Sequence, residues 1–240
     1  MNAMIFAAGL GTRLRPLTND RPKALVEVAG KPLLQHQIEK LKAAGFEHIV
    51  VNVHHFGQQI IDFLSSNHNF GLDIKVSDER ELLLDTGGGI KAAMHLFDND
   101  DPVLIHNVDI VSDIDLKKLY SNHAGLATLA INKRETSRYL LFDDNQTMKG
   151  WTNIKTGEVK PSSVNKDQLC LFAFSGIHIV DRSISKYLDA VDASVFPIMD
   201  FYINLCQKEK ILGVDVTGKR WVDCGKPEHL STANDIICSF

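Results

Sequence analysis

Short apolar runs at residues 4–8, 48–53, 72–76, 103–108 and 126–131 alternate with stretches of helical periodicity over the first 132 residues. That alternation is the mark of repeated βαβ units, and it commits this part of the chain to an α/β fold with a parallel sheet. One crossover shows the pattern clearly. Pro32 suits a first helical position, Leu34, Ile38 and Leu41 recur at three- and four-residue spacing, and Gly45 ends the run. Further helices are predicted at 58–65, 89–97, 114–122, 196–207 and 227–237. Between 138 and 168 the chain changes character, with Asp143, Asp144, Asn145, Gly150, Gly157 and Pro161 interrupting short segments. Hairpins and a loop covering the core are expected there, without a separate domain.

The 240 residues are 44% hydrophobic and 23% charged, enough for one large core, and no repeat or linker divides them. A net charge of -4 supplies no basic face for a nucleic-acid backbone. Cys170, Cys206, Cys224 and Cys238 are widely spaced, which suits four reduced thiols better than a disulfide framework or a zinc site. The first apolar run has no basic flank and is too short for a signal peptide or a membrane span, so a cytoplasmic protein is expected. His54 and His55 are adjacent, and in extended backbone such neighbours point opposite ways; they read as polar loop residues rather than shared metal ligands.

The segment Ala7-Ala8-Gly9-Leu10-Gly11-Thr12-Arg13 leaves the carboxyl end of the first predicted strand, where an open α/β sheet places its ligand. Glycines at 9 and 11 let backbone N–H groups approach phosphate oxygens, and Arg13 and Lys23 add positive charge. Leu14 stands where a dinucleotide fingerprint needs its third glycine, and no Gly-Lys-Ser/Thr closes the loop as in a P-loop. Farther on, Asp85-Thr86-Gly87-Gly88-Gly89 opens a helix whose free N–H groups could clasp a nucleotide. Asp109 and Asp223 each follow a short strand, and carboxylates so placed are candidates for holding a hard cation.

The full string from Gly9 through Thr18, followed by Arg21-Pro22-Lys23, resembles the signature of the sugar-1-phosphate nucleotidyltransferases, the nucleotide-sugar pyrophosphorylases. The resemblance implies a three-layer, modified Rossmann-like fold with a mixed, mostly parallel sheet, and a single domain whose nucleotide half spans 1–132 and sugar half 133–240. It implies a nucleotide site at Ala8, Gly9, Gly11, Thr12, Arg13, Glu79, Asp85, Thr86, Gly87 and Asn107, with Lys23 and Arg13 catalytic. Asn107, Ser175 and Gly176 would meet the sugar, and Asp109 and Asp223 would bind Mg²⁺. Asn107-Val108-Asp109 departs from the family's N-G-D pattern, and Val108 is expected to limit how closely the sugar approaches.

The segments around Thr86 and around Trp221-Val222-Asp223-Cys224-Gly225 are similar to the branch acting on N-acetylmuramate 1-phosphate or mannose 1-phosphate. They imply a nucleoside triphosphate and a sugar 1-phosphate as partners, with UTP and N-acetylmuramate 1-phosphate preferred to GTP and mannose 1-phosphate. Cytidylyl transfer to phosphocholine, or a catalytically silent nucleotide-sugar sensor, are the competing expectations.

Overall fold

The structure, a computed structural model, describes residues 1–239. In chain order its first elements are β1 (Asn2–Phe6), a small hairpin of β2 (Glu27–Val28) and β3 (Lys31–Pro32), α1 (Leu33–Ala43), β4 (His48–Val53) and α2 (Gly57–Ser66). There follow β5 (Asp73–Asp78), α3 (Asp85–Ala93), β6 (Val103–Asn107), β7 (Ile110–Ser112), α4 (Leu116–Ser121), β8 (Ala127–Asn132), β9 (Arg138–Phe142) and β10 (Met148–Asn153). The rest comprises β11 (Glu158–Lys160), β12 (Cys170–Val180), α5 (Ser185–Asp189), α6 (Ile198–Leu205), β13 (Ile211–Asp215), β14 (Trp221–Asp223) and α7 (Leu230–Ile237).

One mixed sheet runs in the order β11-β10-β9-β12-β6-β1-β4-β5, and β8 joins both β12 and β13. Its core, β6-β1-β4-β5, is parallel throughout. Period-two alternation sends Ala3 and Ile5 of β1 into one layer with Leu34, Ile38 and Leu41 of α1, and Met4 into the opposite layer with Ile90 and Ala93 of α3. Helices α1, α2, α4 and α7 cover the first face, and α3, α5 and α6 the second. Each fully buried Leu or Ile in these layers contributes about 1.5–3 kcal/mol. No helix among the described residues is long and apolar enough to cross a membrane. The four cysteines are all free, Cys206 and Cys224 being buried.

Three expectations change. Pro32 lies in β3 and caps α1, which begins one residue later. The region from 138 to 168 extends the sheet as antiparallel β9, β10 and β11 beside β12, rather than covering the core. Helix α3 starts at Asp85, four residues before the expected start at 89, and takes in all three glycines. Glycine weakens an exposed helix by about 1 kcal/mol per residue. Here close packing against residues 194–196 overrides that cost: a Cβ on Gly87 would lie 2.3 Å from the Phe196 ring, and one on Gly88 2.1 Å from the Ser194 carbonyl oxygen.

Candidate active site

A cavity of about 470 Å³ opens at the carboxyl ends of β1 and β6, the crevice position of an open α/β sheet. Ala8, Gly9 and Lys23 face it from the first loop, Asn107 and Asp109 from the end of β6, and Glu79, Asp85 and Thr86 from the approach to α3.

The first loop is shaped by local hydrogen bonds. Gly11 adopts φ +64, and a Cβ there would sit 3.1 Å from both Lys23 Cβ and Thr18 Cγ2. Thr18 Oγ1 donates to the Gly11 carbonyl at 2.8 Å. Thr12 and Arg13 then enter a short 3-10 turn. Beneath the loop, Asn52 Oδ1 accepts the N–H groups of Ala7 and Ala8 at 2.7 and 3.3 Å. Past these two, the backbone N–H groups of Gly9, Leu10 and Gly11 make no hydrogen bond among the described residues. They are donors free to meet an anion.

The α3 entrance behaves otherwise. The Phe196 carbonyl already accepts from Gly87 N–H at 2.8 Å and Gly88 N–H at 3.3 Å. Thr86 N–H donates to Asp85 Oδ1 at 2.6 Å, and Thr86 Oγ1 accepts from Ile198 N–H at 2.9 Å. The free N–H groups expected at this helix terminus are therefore spent on packing, because the glycines let a neighbouring chain segment come into contact there. Asp85, at φ 59, makes the turn into the helix.

Glu79 is almost wholly buried, at 2% exposure, and burial pushes its carboxyl pKa up. Its Oε1 accepts from Asn52 Nδ2 at 2.7 Å and its Oε2 from Leu84 N–H at 3.1 Å. It thus braces the loop as well as lining the cavity. Nothing in its own neighbourhood of sequence points to Asn52, except that an asparagine interrupts the apolar strand His48–Val53.

Lys23 Nζ donates to Asp109 Oδ2 in a partly buried ion pair. Asp223 reaches the same place by a separate route. The two-stranded ladder of β14 with β7 sets Asp223 opposite Ile110, and Cys224 N–H donates to the Asp109 carbonyl at 2.8 Å. Asp223 Oδ1 accepts from Gly225 N–H at 2.7 Å, while His229 Nδ1 lies 2.6 Å from the Asp223 carbonyl oxygen. A Cβ on Gly225 would fall 2.7 Å from Arg13 Nη2 and 2.8 Å from Asp223 Oδ1. Glycine at 225 therefore lets the Arg13 guanidinium lie against the aspartate segment.

The donor set suits a hard cation. Mg²⁺ is characteristically held by one or two carboxylates, retaining waters and taking substrate phosphates as further ligands. Asp109 and Asp223 offer two carboxylates; no cluster of three or more metal-binding side chains occurs among the described residues.

On the sugar side the expectations are partly redirected. Ser175 is fully buried; its Oγ accepts from Asn132 Nδ2 at 3.1 Å and its carbonyl from Trp221 Nε1 at 2.8 Å. Its hydroxyl supports the wall rather than facing the cavity. Gly176, at φ +75, sits where β12 shifts register, and a Cβ there would meet Ile110 at 2.8 Å and Asn107 Nδ2 at 3.1 Å. Val108 does not crowd the cavity: it is 2% exposed, packs in the core, and donates its N–H to the Phe6 carbonyl at 3.1 Å.

A family model described as nucleotidyl transferase matches residues 2–239. An N-acetylmuramate alpha-1-phosphate uridylyltransferase from Caulobacter vibrioides is 36% identical over 94% of this chain and 92% of its own length. A mannose-1-phosphate guanylyltransferase catalytic subunit beta from Drosophila melanogaster is 31% identical over 96% of this chain, which spans 61% of that relative. The crystal structure of HddC from Yersinia pseudotuberculosis, complexed with GMP-PN, shares the fold at TM-score 0.77 and 22% identity, covering 98% of this chain and 99% of that one.

Proposed function

The chain belongs to the nucleotidyl transferase family as a sugar-1-phosphate nucleotidyltransferase, and on that premise we propose that it transfers uridylyl from UTP to N-acetylmuramate 1-phosphate with release of pyrophosphate. The observation that carries this choice is the near full-length match to a uridylyltransferase of that specificity, 92% of its length against 61% for the guanylyltransferase.

The proposed division of labour follows the geometry. The open N–H groups of Gly9 to Gly11 and the Arg13 guanidinium hold the β- and γ-phosphates and stabilise the charge of departing pyrophosphate. Thr12 shapes that loop. Lys23 turns from Asp109 to the α-phosphate and aligns the sugar phosphate oxygen for in-line attack. Asp109 and Asp223 would hold Mg²⁺, which when bound supplies charge neutralisation on the phosphates. No general base is needed, because the second pKa of a phosphate monoester lies near 6 and its oxygen is already largely ionised at neutral pH. Asn107 contacts the ribose and sugar from the end of β6. Ala8, Asp85, Thr86 and Gly87 form the base-side wall, with Glu79 bracing it. Residues 1–132 form the nucleotide half and 133–240 the sugar half, working in the cytoplasm.

The test is pyrophosphate release by purified protein with Mg²⁺, crossing UTP, GTP, CTP and dTTP with the 1-phosphates of N-acetylmuramate, mannose, glucose and N-acetylglucosamine, and with phosphocholine. UTP with N-acetylmuramate 1-phosphate should dominate the grid. Preferred turnover of GTP with mannose 1-phosphate would replace this reading, and binding without turnover anywhere would favour a sensor.

A further inference from the structure

A second cavity, of about 500 Å³, lies on the sugar side of the molecule. Arg134, Arg138 and Lys160 line it, against a single carboxylate, Asp200. Its floor is apolar, with Leu140, Trp151 and Ile203 among the lining residues. Lys160 is paired with Glu158 at 3.2 Å, but neither arginine has an ion-pair partner among the described residues.

Arg134 joins this cavity to the active site. Its guanidinium stacks over the Trp221 ring at 4.6 Å, and Trp221 stands two positions before Asp223 on β14. Its Nη2 donates to the Phe174 carbonyl at 3.1 Å, while its Nε is buried with no hydrogen-bond partner. A half-buried guanidinium with an unmet donor, flanked by a second unpaired arginine, is a costly arrangement for a protein to keep without an anion. The phosphates belong to the glycine loop and Lys23, so the anion to be met here is carried elsewhere on the acceptor.

We propose that this cavity receives a carboxylate borne on the sugar, read by Arg134 and Arg138, so that the protein selects acidic over neutral sugar 1-phosphates. The planar fork of arginine matches a carboxylate in two parallel hydrogen bonds, and the apolar floor strengthens them. N-acetylmuramate carries such a group on its lactyl ether; mannose, glucose and N-acetylglucosamine do not. The proposal rests on the acceptor being a sugar 1-phosphate and deepens the reading above.

The experiment compares N-acetylmuramate 1-phosphate with its lactyl carboxamide analogue, using wild type, Arg138→Gln and Arg134→Gln. Arg138 is exposed on β9, so its replacement leaves the fold intact, and the amide removes the charge without altering the protein at all. In wild type, kcat/KM should fall about 10- to 100-fold from acid to amide, mostly through KM. In each variant the gap should shrink to about threefold or less. Equal handling of acid and amide by wild type, or an undiminished gap in both variants, would overturn the carboxylate site while leaving the uridylyltransferase reading in place. A wild-type protein that uses only neutral sugar 1-phosphates would overturn both.

Discussion

Asn52 and Glu79 meet through a 2.7 Å hydrogen bond from Nδ2 to Oε1, and the same asparagine takes the N–H groups of Ala7 and Ala8 on its other side. One amide thus couples the glycine loop to the loop before α3, which Glu79 continues by accepting from Leu84. Replacing it by leucine, of the same branched shape though bulkier, would leave one buried oxygen of Glu79 and two backbone donors unmet. Asn52→Leu is expected to cost about 2–4 kcal/mol by urea denaturation and to raise KM for the nucleotide at least about tenfold. Unchanged values of both would show that the loops hold their shape without it.

Lys23 and the metal proposed for Asp109 neutralise the same carboxylate, which predicts a linkage between them. Lys23→Ala should lower kcat/KM by about 100- to 1000-fold, and the variant should remain folded but less stable at low divalent cation. Mg²⁺ should then raise the melting temperature of the variant more than that of wild type, because only the variant leaves Asp109 uncompensated. Asp223→Ala should lose comparable activity. Equal Mg²⁺ stabilisation of wild type and Lys23→Ala would separate the cation from Asp109.

Gly88 has no space for a methyl group against the backbone of Ser194. Gly88→Ala should gain helix propensity on paper and yet destabilise the protein by about 1–3 kcal/mol, since overpacking outweighs propensity. Thermal melting checks the sign: a rise in melting temperature would mean that residues 194–196 yield easily.

His106 and His178 are fully buried, and burial pushes both pKa values down to about 3 from 6.5. Both stay neutral in the fold but take up protons on unfolding at acid pH. Their contribution is therefore intact above 6.5 and is lost progressively as pH falls toward 3, by about 1.4 kcal/mol per pH unit for each histidine. Urea titrations at pH 7 and pH 5 should show this loss, and His178→Leu should roughly halve its slope. Tyr202 packs beside His178 with rings 5.7 Å apart, and its hydroxyl is buried without a partner. Tyr202→Phe should accordingly stabilise the protein by about 1 kcal/mol.

The parallel half of the fold could be read from the chain because its core strands are short, mostly apolar runs set between helical periodicities: 48–53 coincides with β4, and 103–108 overlaps β6 with one residue to spare. The glycine loop, Lys23, Asp109 and Asp223 stand out in the chain through the family resemblance, and the fold sets Lys23 against Asp109 and the Asp223 segment beside it. What escaped was long-range pairing. Nothing near Gly87 says that its N–H is taken by Phe196, and nothing near Ser175 says that its hydroxyl faces Asn132. Val108 breaks a glycine pattern, but whether its side chain blocks the cavity or fills the core depends on which way the turn after β6 faces. The sheet extension of β9 to β11 was obscured by short strands and turn residues, which look the same whether hairpins cover a core or continue its edge.

The ladder of β14 with β7 lies off the main sheet and joins segments more than a hundred positions apart. During synthesis, β1 to β6 leave the ribosome with the glycine loop, Lys23 and Asp109 already made. Ile110–Ser112 must then wait for Trp221–Asp223 before it finds its partner. A nascent chain can therefore shape the glycine loop early, but the segment carrying Asp223 meets that of Asp109 only near the end of translation, so chains cut short before that point would lack one of the two carboxylates proposed to hold the cation.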